Sequence, residues 1–276
     1  MGKLYICGTP IGNLQDVSIR LLKTLRQVDL IACEDTRNTV KLLNYYHIKK
    51  KMVSYHQYSD PGRERFLVEE LLKGKQIALV SDAGMPALCD PGEGLLRKAI
   101  EAGVPIEIIP GPSALICALI LSGFKIAPFV FEGYLPANKN ERRKLLSSLK
   151  DEARTIVVYE TPHRLIAALS DLEEILGQAR HISVAREITK LHEEVKRGTI
   201  KEVKDYFTGI TLRGEFCLVI EGKESQMVTP DLKQIKEEIN HMVESGWNKK
   251  QALKMKAKEY GIKKSVIYNS MIEKDS

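Results

Sequence analysis

No run in this 276-residue chain approaches the roughly 18 apolar residues that a membrane-spanning helix needs, so no spanning segment is expected. Lys3 leads straight into Leu4-Tyr5-Ile6-Cys7, without a long apolar stretch or a small-residue cleavage site, which argues against a secretory signal. The cysteines are five, Cys7, Cys33, Cys89, Cys117 and Cys217, and none forms a CxxC pair. An odd, scattered set lying mostly in apolar runs reads as reduced, buried thiols in a reducing compartment, hence a cytoplasmic protein, and makes zinc a poor reading. Two phosphate-binding signatures are also missing. Gly8-x-x-x-Gly12 carries a proline and misses the GxGxxG spacing, and no GxxxxGK[ST] occurs, which excludes the standard dinucleotide and nucleotide loops.

What is present is the length for two α/β lobes and a small appendage, with 43% hydrophobic and 28% charged residues. The net charge of +6 is unevenly placed. Seven lysines and one glutamate lie between Gly246 and Ile272, a balance equal to that of the whole chain, so the rest is neutral. A basic block on a neutral body points to a polyanionic partner; a solvated lysine-rich helix face is the plainer alternative.

Short β-rich runs recur at the spacing of βα units: Leu4–Cys7, Leu30–Cys33, Met52–Tyr55, Ile77–Val80 and Ile106–Ile109. Amphipathic segments such as Ile19–Leu25 and Arg65–Leu72 separate them, which predicts a parallel sheet covered on both faces. A second series, Phe129–Phe131, Ile156–Tyr159, Ile182–Ala185, Glu194–Arg197 and Phe216–Ile220, closes up toward its end and predicts a mixed sheet with antiparallel strands. The fold class is therefore α/β in two lobes, 1–121 and 122–224, followed by a basic helical module at 229–276. The breaks are expected near Ser122–Pro128 and Gly222–Pro230. In the module, Leu232–Val243, Lys249–Tyr260 and Ser265–Ile272 read as helices, the last two joined by Gly261-Ile262 like a helix-turn-helix.

Nearly every expected strand runs into a polar or glycine-proline cluster. Leu4–Cys7 leads to Gly8-Thr9-Pro10-Ile11-Gly12-Asn13, Leu30–Cys33 to Glu34-Asp35-Thr36-Arg37, and Met52–Ser54 to Tyr55-His56. Ile77–Val80 leads to Ser81-Asp82-Ala83-Gly84-Met85-Pro86, with Asp90-Pro91-Gly92 beyond it, and Ile106–Ile109 to Pro110-Gly111-Pro112-Ser113-Ala114. In the second series Tyr159-Glu160-Thr161-Pro162-His163-Arg164 and Arg186-Glu187-Ile188-Thr189-Lys190 do the same. Ligands of open α/β sheets bind outside the carboxyl ends of the strands, so these clusters should face one cleft. Such turns bring backbone groups close to a flat, polar small molecule. Asp82 suits a ribose hydroxyl or a ligand ammonium, unless it merely caps a turn.

The clusters, in this order from Leu4 to about Gly222, resemble the ribosomal RNA small-subunit methyltransferase branch of the tetrapyrrole methylase-like (class III) methyltransferases. Phe131-Glu132-Gly133-Tyr134-Leu135-Pro136 belongs to the same set. Two departures are visible: Cys7-Gly8 before Thr-Pro, and Met85 where threonine is usual, which removes a hydroxyl but no backbone contact. The resemblance implies S-adenosylmethionine held between two α/β lobes, 2′-O-methylation of a cytidine in the decoding region of small-subunit (16S) rRNA, and a homodimer. It places the cofactor against Thr9, Pro10, Gly12, Asp82, Ala83, Gly84, Met85, Ser113, Ala114, Tyr159 and Ala185.

A sulfonium methyl is already electrophilic, so the protein must mainly align an oxygen and help its proton leave, with no metal ion required. Glu34, Glu160, Glu187 and Lys190 are the candidate proton handlers, with His56 and His163 behind them. Arg37, Arg142, Arg143, Arg164, Lys249, Lys250 and Lys254 are the candidate RNA contacts, positioning phosphates without reading sequence. Trp247, Tyr260 or Tyr268 could stack on bases, although packing within a three-helix unit is the preferred reading. Two other functions compete: methylation of a tetrapyrrole precursor or a protein side chain on the same fold, and a non-catalytic RNA-binding ribosome-assembly factor.

Overall fold

The computed structural model describes residues 2–56, 61–223 and 232–272. They form two compact units, Met1–Lys223 and Glu224–Ser276. In the first unit, β1 (Lys3–Cys7), β2 (Leu30–Cys33), β3 (Met52–Ser54), β4 (Gln76–Val80) and β5 (Ile106–Ile109) alternate with α1 (Ile19–Gln27), α2 (Thr36–Tyr45), α3 (Pro61–Leu72) and α4 (Glu93–Glu101). All their pairings are parallel, in the order β3-β2-β4-β1-β5. Side chains alternate along a strand, and the sequence uses both faces. Leu4, Ile6, Leu30, Ile77 and Leu79 pack with Leu67, Leu71 and Leu95 on one side. Cys7, Ile31, Cys33 and Val80 pack with Leu21, Leu25 and Leu43 on the other.

Local chemistry sets the helix ends. The Ser18 hydroxyl accepts from Leu21 N–H at 3.0 Å and starts α1, and the Asp35 carboxylate accepts from Arg37 N–H at 2.8 Å and starts α2. Leu21 and Leu25, four apart, then fall on the buried face.

The second sheet comprises β6 (Phe129–Tyr134), β7 (Thr155–Glu160), β8 (His181–Arg186), β9 (Glu194–Thr199) and β10 (Phe216–Ile220), ordered β6-β7-β10-β8-β9. β6 and β7 are parallel; β10 lies antiparallel between β7 and β8, and β9 is antiparallel to β8. The expected mixed sheet is therefore present. On one face Ile156, Val158, Val184 and Leu218 meet α7 (Leu165–Leu176) and α8 (Ile200–Thr208), with Phe207 edge-on to Phe216 at 5.8 Å. Thr199 and Glu202 close a capping box at the start of α8.

The other face carries α5 (Ala114–Ser122), whose Leu115, Ala118 and Leu119 pack on Val157, Ala185, Cys217 and Val219. The sequence reading put this helix in the first lobe, with a boundary at 121/122. Its apolar residues belong instead to the second sheet, so the changeover falls between β5 and α5. Ile11 joins the same cluster and ties the lobes together.

α6 (Lys139–Ser148) corrects another expectation. Arg142 is only 5% exposed, and its Nε donates to Asp171 Oδ2 at 2.8 Å. Its neighbour Arg143 donates to Asp171 Oδ1 at 3.0 Å and also pairs with Glu174. A buried ion pair is costly to separate, so Arg142 joins α6 to α7 rather than reaching a phosphate.

In the second unit, α9 (Leu232–Glu244), α10 (Lys249–Glu259) and α11 (Lys264–Ile272) enclose a small core of Ile235, Ile239, Ala252, Leu253 and Ile267. The expected break at Gly222–Pro230 lies largely outside the described residues.

Candidate active site

The strand ends of the first unit surround a cavity of about 320 Å³. From the first lobe come Ile11, Glu34, Asp82–Met85 and Leu88–Pro91, then Ser113 and Ala114 leading into α5. The second sheet supplies Tyr134, Tyr159, Glu187, Ile188, Lys190 and Glu215–Cys217. The clusters singled out by their position after strands therefore converge on one hollow, except Tyr55-His56, which contributes nothing to its wall because Tyr55 is packed in the core.

Backbone pairing fixes two of the turns. Thr9 N–H donates to Gly84 O at 2.8 Å, and Gly84 N–H returns a bond to Thr9 O at 3.1 Å. The Thr9 hydroxyl lies 3.2 Å from Ser81 O. Thr9 is thus spent on joining β1 to β4, and neither it nor Pro10 lies on the cavity wall. Gly12 is not on the wall either. A Cβ there would come within 2.5 Å of Lys190 Cγ, so its bareness makes room for the lysine stem. Ala185 is also absent from the wall, because it is buried beneath α5. Of the expected cofactor contacts, Asp82, Ala83, Gly84, Met85, Ser113, Ala114 and Tyr159 do line the cavity.

Asp82 both anchors a turn and lines the cavity. Its Oδ1 accepts from Asp35 N–H at 3.1 Å and its Oδ2 from Asn38 Nδ2 at 2.7 Å, which anchors the β4 turn to the start of α2. It still faces the cavity. Across the lobes, the Tyr159 hydroxyl accepts from Leu115 N–H at 3.0 Å, and burial drives that phenol above its ordinary pKa.

The wall is acidic. Glu34, Asp82, Asp90, Glu187 and Glu215 face it, against Lys190, whose Nζ sits 2.8 Å from Glu187 Oε1. Burial, then the Asp90 and Asp82 charges, hold Glu34 above the ordinary carboxylate range. Burial also raises Asp90. Confining carboxylates together raises their ionisation cost, and a cationic ligand relieves it. A sulfonium with an ammonium fits such a wall, whereas a nucleotide's phosphates do not.

The remaining candidates separate. Glu187 and Thr189 adopt left-handed backbone, φ 52° and 68°, so the Glu187–Lys190 segment is held in a strained form beside the cavity. Glu160 is 1% exposed and off the wall; its Oε1 accepts from Thr161 N–H at 2.8 Å and pairs with Arg164 at 2.6 Å. Arg164 is correspondingly engaged within the fold. The Thr161 hydroxyl lies 3.3 Å from His163 Nε2, and His56 is exposed. Arg37 projects into solvent with its guanidinium on Asp35.

Position after strands did not reveal Glu215, Phe216 and Cys217. β10 runs opposite to β7 and β8, with Phe216 beside both Glu160 and Arg186. Its amino end therefore joins their carboxyl ends, and Gly214 just before it was the available sign.

On the second unit, Asn248 Oδ1 accepts from Lys250 N–H at 2.9 Å and starts α10. Lys249, Lys250, Lys254 and Lys258 are exposed, while Ala252 and Leu253 face inward. Lys256 is occupied by Glu238 at 2.8 Å and Glu259 at 3.0 Å. Tyr260 donates to Glu238 and packs, as preferred; Trp247 and Tyr268 are half-exposed.

Residues 3–204 match the family described as Tetrapyrrole (Corrin/Porphyrin) Methylases. The chain is 43% identical over 272 residues to ribosomal RNA small subunit methyltransferase I of Halalkalibacterium halodurans, covering 97% of this chain and 94% of that one. The chain belongs to this methyltransferase family. The Thermotoga maritima relative of the same name is 50% identical over 224 residues, 81% of this chain and all of its own. Among solved structures, diphthine synthase superposes with a TM-score of 0.62 at 14% identity, covering 81% of this chain and 90% of that one, a likeness of fold. No helix among the described residues of this family member is long and apolar enough to cross a membrane.

Proposed function

We propose that this protein transfers the methyl group of S-adenosylmethionine to the 2′-oxygen of a cytidine in the decoding region of small-subunit (16S) rRNA, in the cytoplasm. The observation that carries this reading is the acidic interlobe cavity, lined by the turns after β2, β4, β5 and β8, in a chain whose near-full-length relatives bear an rRNA methyltransferase name. Asp82 and the Ala83–Met85 backbone, with Ser113 and Ala114, would hold the cofactor from one lobe, and Tyr159 from the other. When bound, the cofactor would supply an electrophilic methyl carbon on a sulfonium whose sulfur is the leaving group. The chain's own tasks are to place a ribose hydroxyl opposite that carbon and to take up its proton. Of the four proton-handling candidates, Glu34 is taken as the acceptor, because it faces the cavity and burial raises its proton affinity. Lys249, Lys250, Lys254 and Lys258 would hold phosphates, and Arg37 is a further contact.

The test is a map of 2′-O-methyl groups on small-subunit rRNA from cells with and without the protein. One decoding-region cytidine should lose its methyl group in the deletion and regain it on complementation. Identical maps would sink the reading.

We also propose a homodimer. α5 is apolar on all sides yet exposes Ile116 and Ile120, and the edge strand β5 exposes Ile108, a pattern suited to a covered face. Light scattering should read twice the chain mass, and replacing Ile116 and Ile120 by lysine should halve it. A wild-type mass of one chain at micromolar concentration would refute this.

A further inference from the structure

β6 and β7 run in regular parallel register through Phe129↔Thr155, Val130↔Ile156 and Phe131↔Val157, and then slip, so that Tyr134 falls opposite Tyr159. Three steps along β6 match two along β7, which is one inserted residue. Gly133 absorbs it at φ 67°, a left-handed conformation that side-chain-bearing residues rarely adopt. Side chains alternate between faces, so without the insertion Tyr134 would point away from the Tyr159 side. The bulge turns its ring onto the cavity wall instead, with its centroid 5.5 Å from that of Tyr159. Phe131 backs Tyr159 from 5.2 Å.

The two tyrosines are not equivalent. Tyr159 is committed to the fold through Leu115 N–H. Tyr134 is 44% exposed at the cavity, and its hydroxyl meets no hydrogen-bond partner among the described residues. Burial, with the Glu215 and Asp90 charges, pushes this phenol up to about 12, so it stays neutral and able to donate. A bulged strand that sets an aromatic ring on the wall of a cavity edged by carboxylates suits a flat ring bearing an amino group. Single-stranded RNA is commonly held by splaying a base out of its stack onto an aromatic side chain. Cytosine presents such a ring, and its exocyclic amine pairs with carboxylates.

We propose that Tyr134 is the platform on which the target base stacks, with Asp90 or Glu215 accepting from its exocyclic amine. This rests on the reading of the site as one that methylates an RNA ribose. Tyr134 is thereby a specificity-determining residue, distinct from those that hold the methyl donor.

The test uses the full-length protein with small ribosomal subunits from cells lacking it. It compares wild type, Tyr134→Phe, Tyr134→Leu and Tyr134→Ala. Loss of a stacking partner is worth roughly a 10-fold or greater rise in KM for the subunit, expected for both the alanine and leucine variants. The phenylalanine variant should stay within about 3-fold of wild type, and S-adenosylmethionine affinity, measured by calorimetry, within about 2-fold in all four. The leucine variant keeps apolar bulk against Tyr159, so a rise in its KM cannot be ascribed to lost packing. The platform is refuted if leucine and alanine leave KM unchanged, or if they weaken methyl-donor binding as much as subunit binding. Wild-type protein that leaves the subunits unmethylated would overturn the underlying reading instead.

Discussion

Replacement of Glu34 by glutamine is expected to lower kcat on small subunits by about 10²- to 10⁴-fold, the usual worth of a positioned proton acceptor. The substitution keeps the shape of the side chain and removes its basicity. Glu34 sits at the end of β2 among Asp82 and Asp90, and burial with those charges raises its proton affinity. The sign of the pH effect follows. A raised carboxylate takes up its proton at a higher pH than an ordinary glutamate, so the active, ionised form is lost earlier as pH falls. Wild-type kcat/KM, which reports the free enzyme, should therefore show an acid limb above the normal glutamate range, and Glu34→Gln should lack it. Asp82→Asn is the control, because it removes a charge from the same wall and should act mainly on methyl-donor affinity. If Glu34→Gln keeps kcat within a factor of three, the proton goes elsewhere, with Glu187 next in line.

Changing Lys249, Lys250, Lys254 and Lys258 together to alanine is expected to weaken subunit binding by roughly 10- to 100-fold at moderate salt and to flatten its salt dependence by about three units of log-log slope. Lys250, Lys254 and Lys258 stand at intervals of four on α10, about 6 Å apart along one face. They are free of ion pairs among the described residues, unlike Lys256. Alanine favours the helix, so the three-helix core around Leu253 should survive. Methyl-donor affinity should not change, since the cavity lies wholly within the first unit. An unchanged salt slope would mean that the lysines serve another purpose.

Some of this molecule could be read directly from its residues. β2, β5 and β10 occupy the expected spans, and the others differ by a residue or a few at their ends. Continuous apolar runs such as Leu30–Cys33 and Ile77–Val80 can satisfy only a strand covered on both faces. The polar turns that follow them had to gather, because all strands of a parallel sheet end on one side. Arg142 shows the limit of such reasoning. Beside Arg143 in the charged first half of α6 it looked like a phosphate contact, yet Asp171, 29 residues away, takes it into the interior. Nothing local distinguishes an arginine meant for a buried partner from one meant for solvent.

The order of strands and helices, the row of turns suited to a ligand and the segregation of positive charge onto the last helices all follow from patterns a few residues long, where periodicity and turn chemistry act. The folded arrangement settled the rest: β10 inserted against the chain direction of its neighbours, α5 handed to the second sheet, Tyr134 swung onto the cavity by one extra residue. Each depends on which distant segment supplies the neighbouring hydrogen bonds or apolar face, and that choice is made by packing across the whole unit, where no short stretch of chain carries the information.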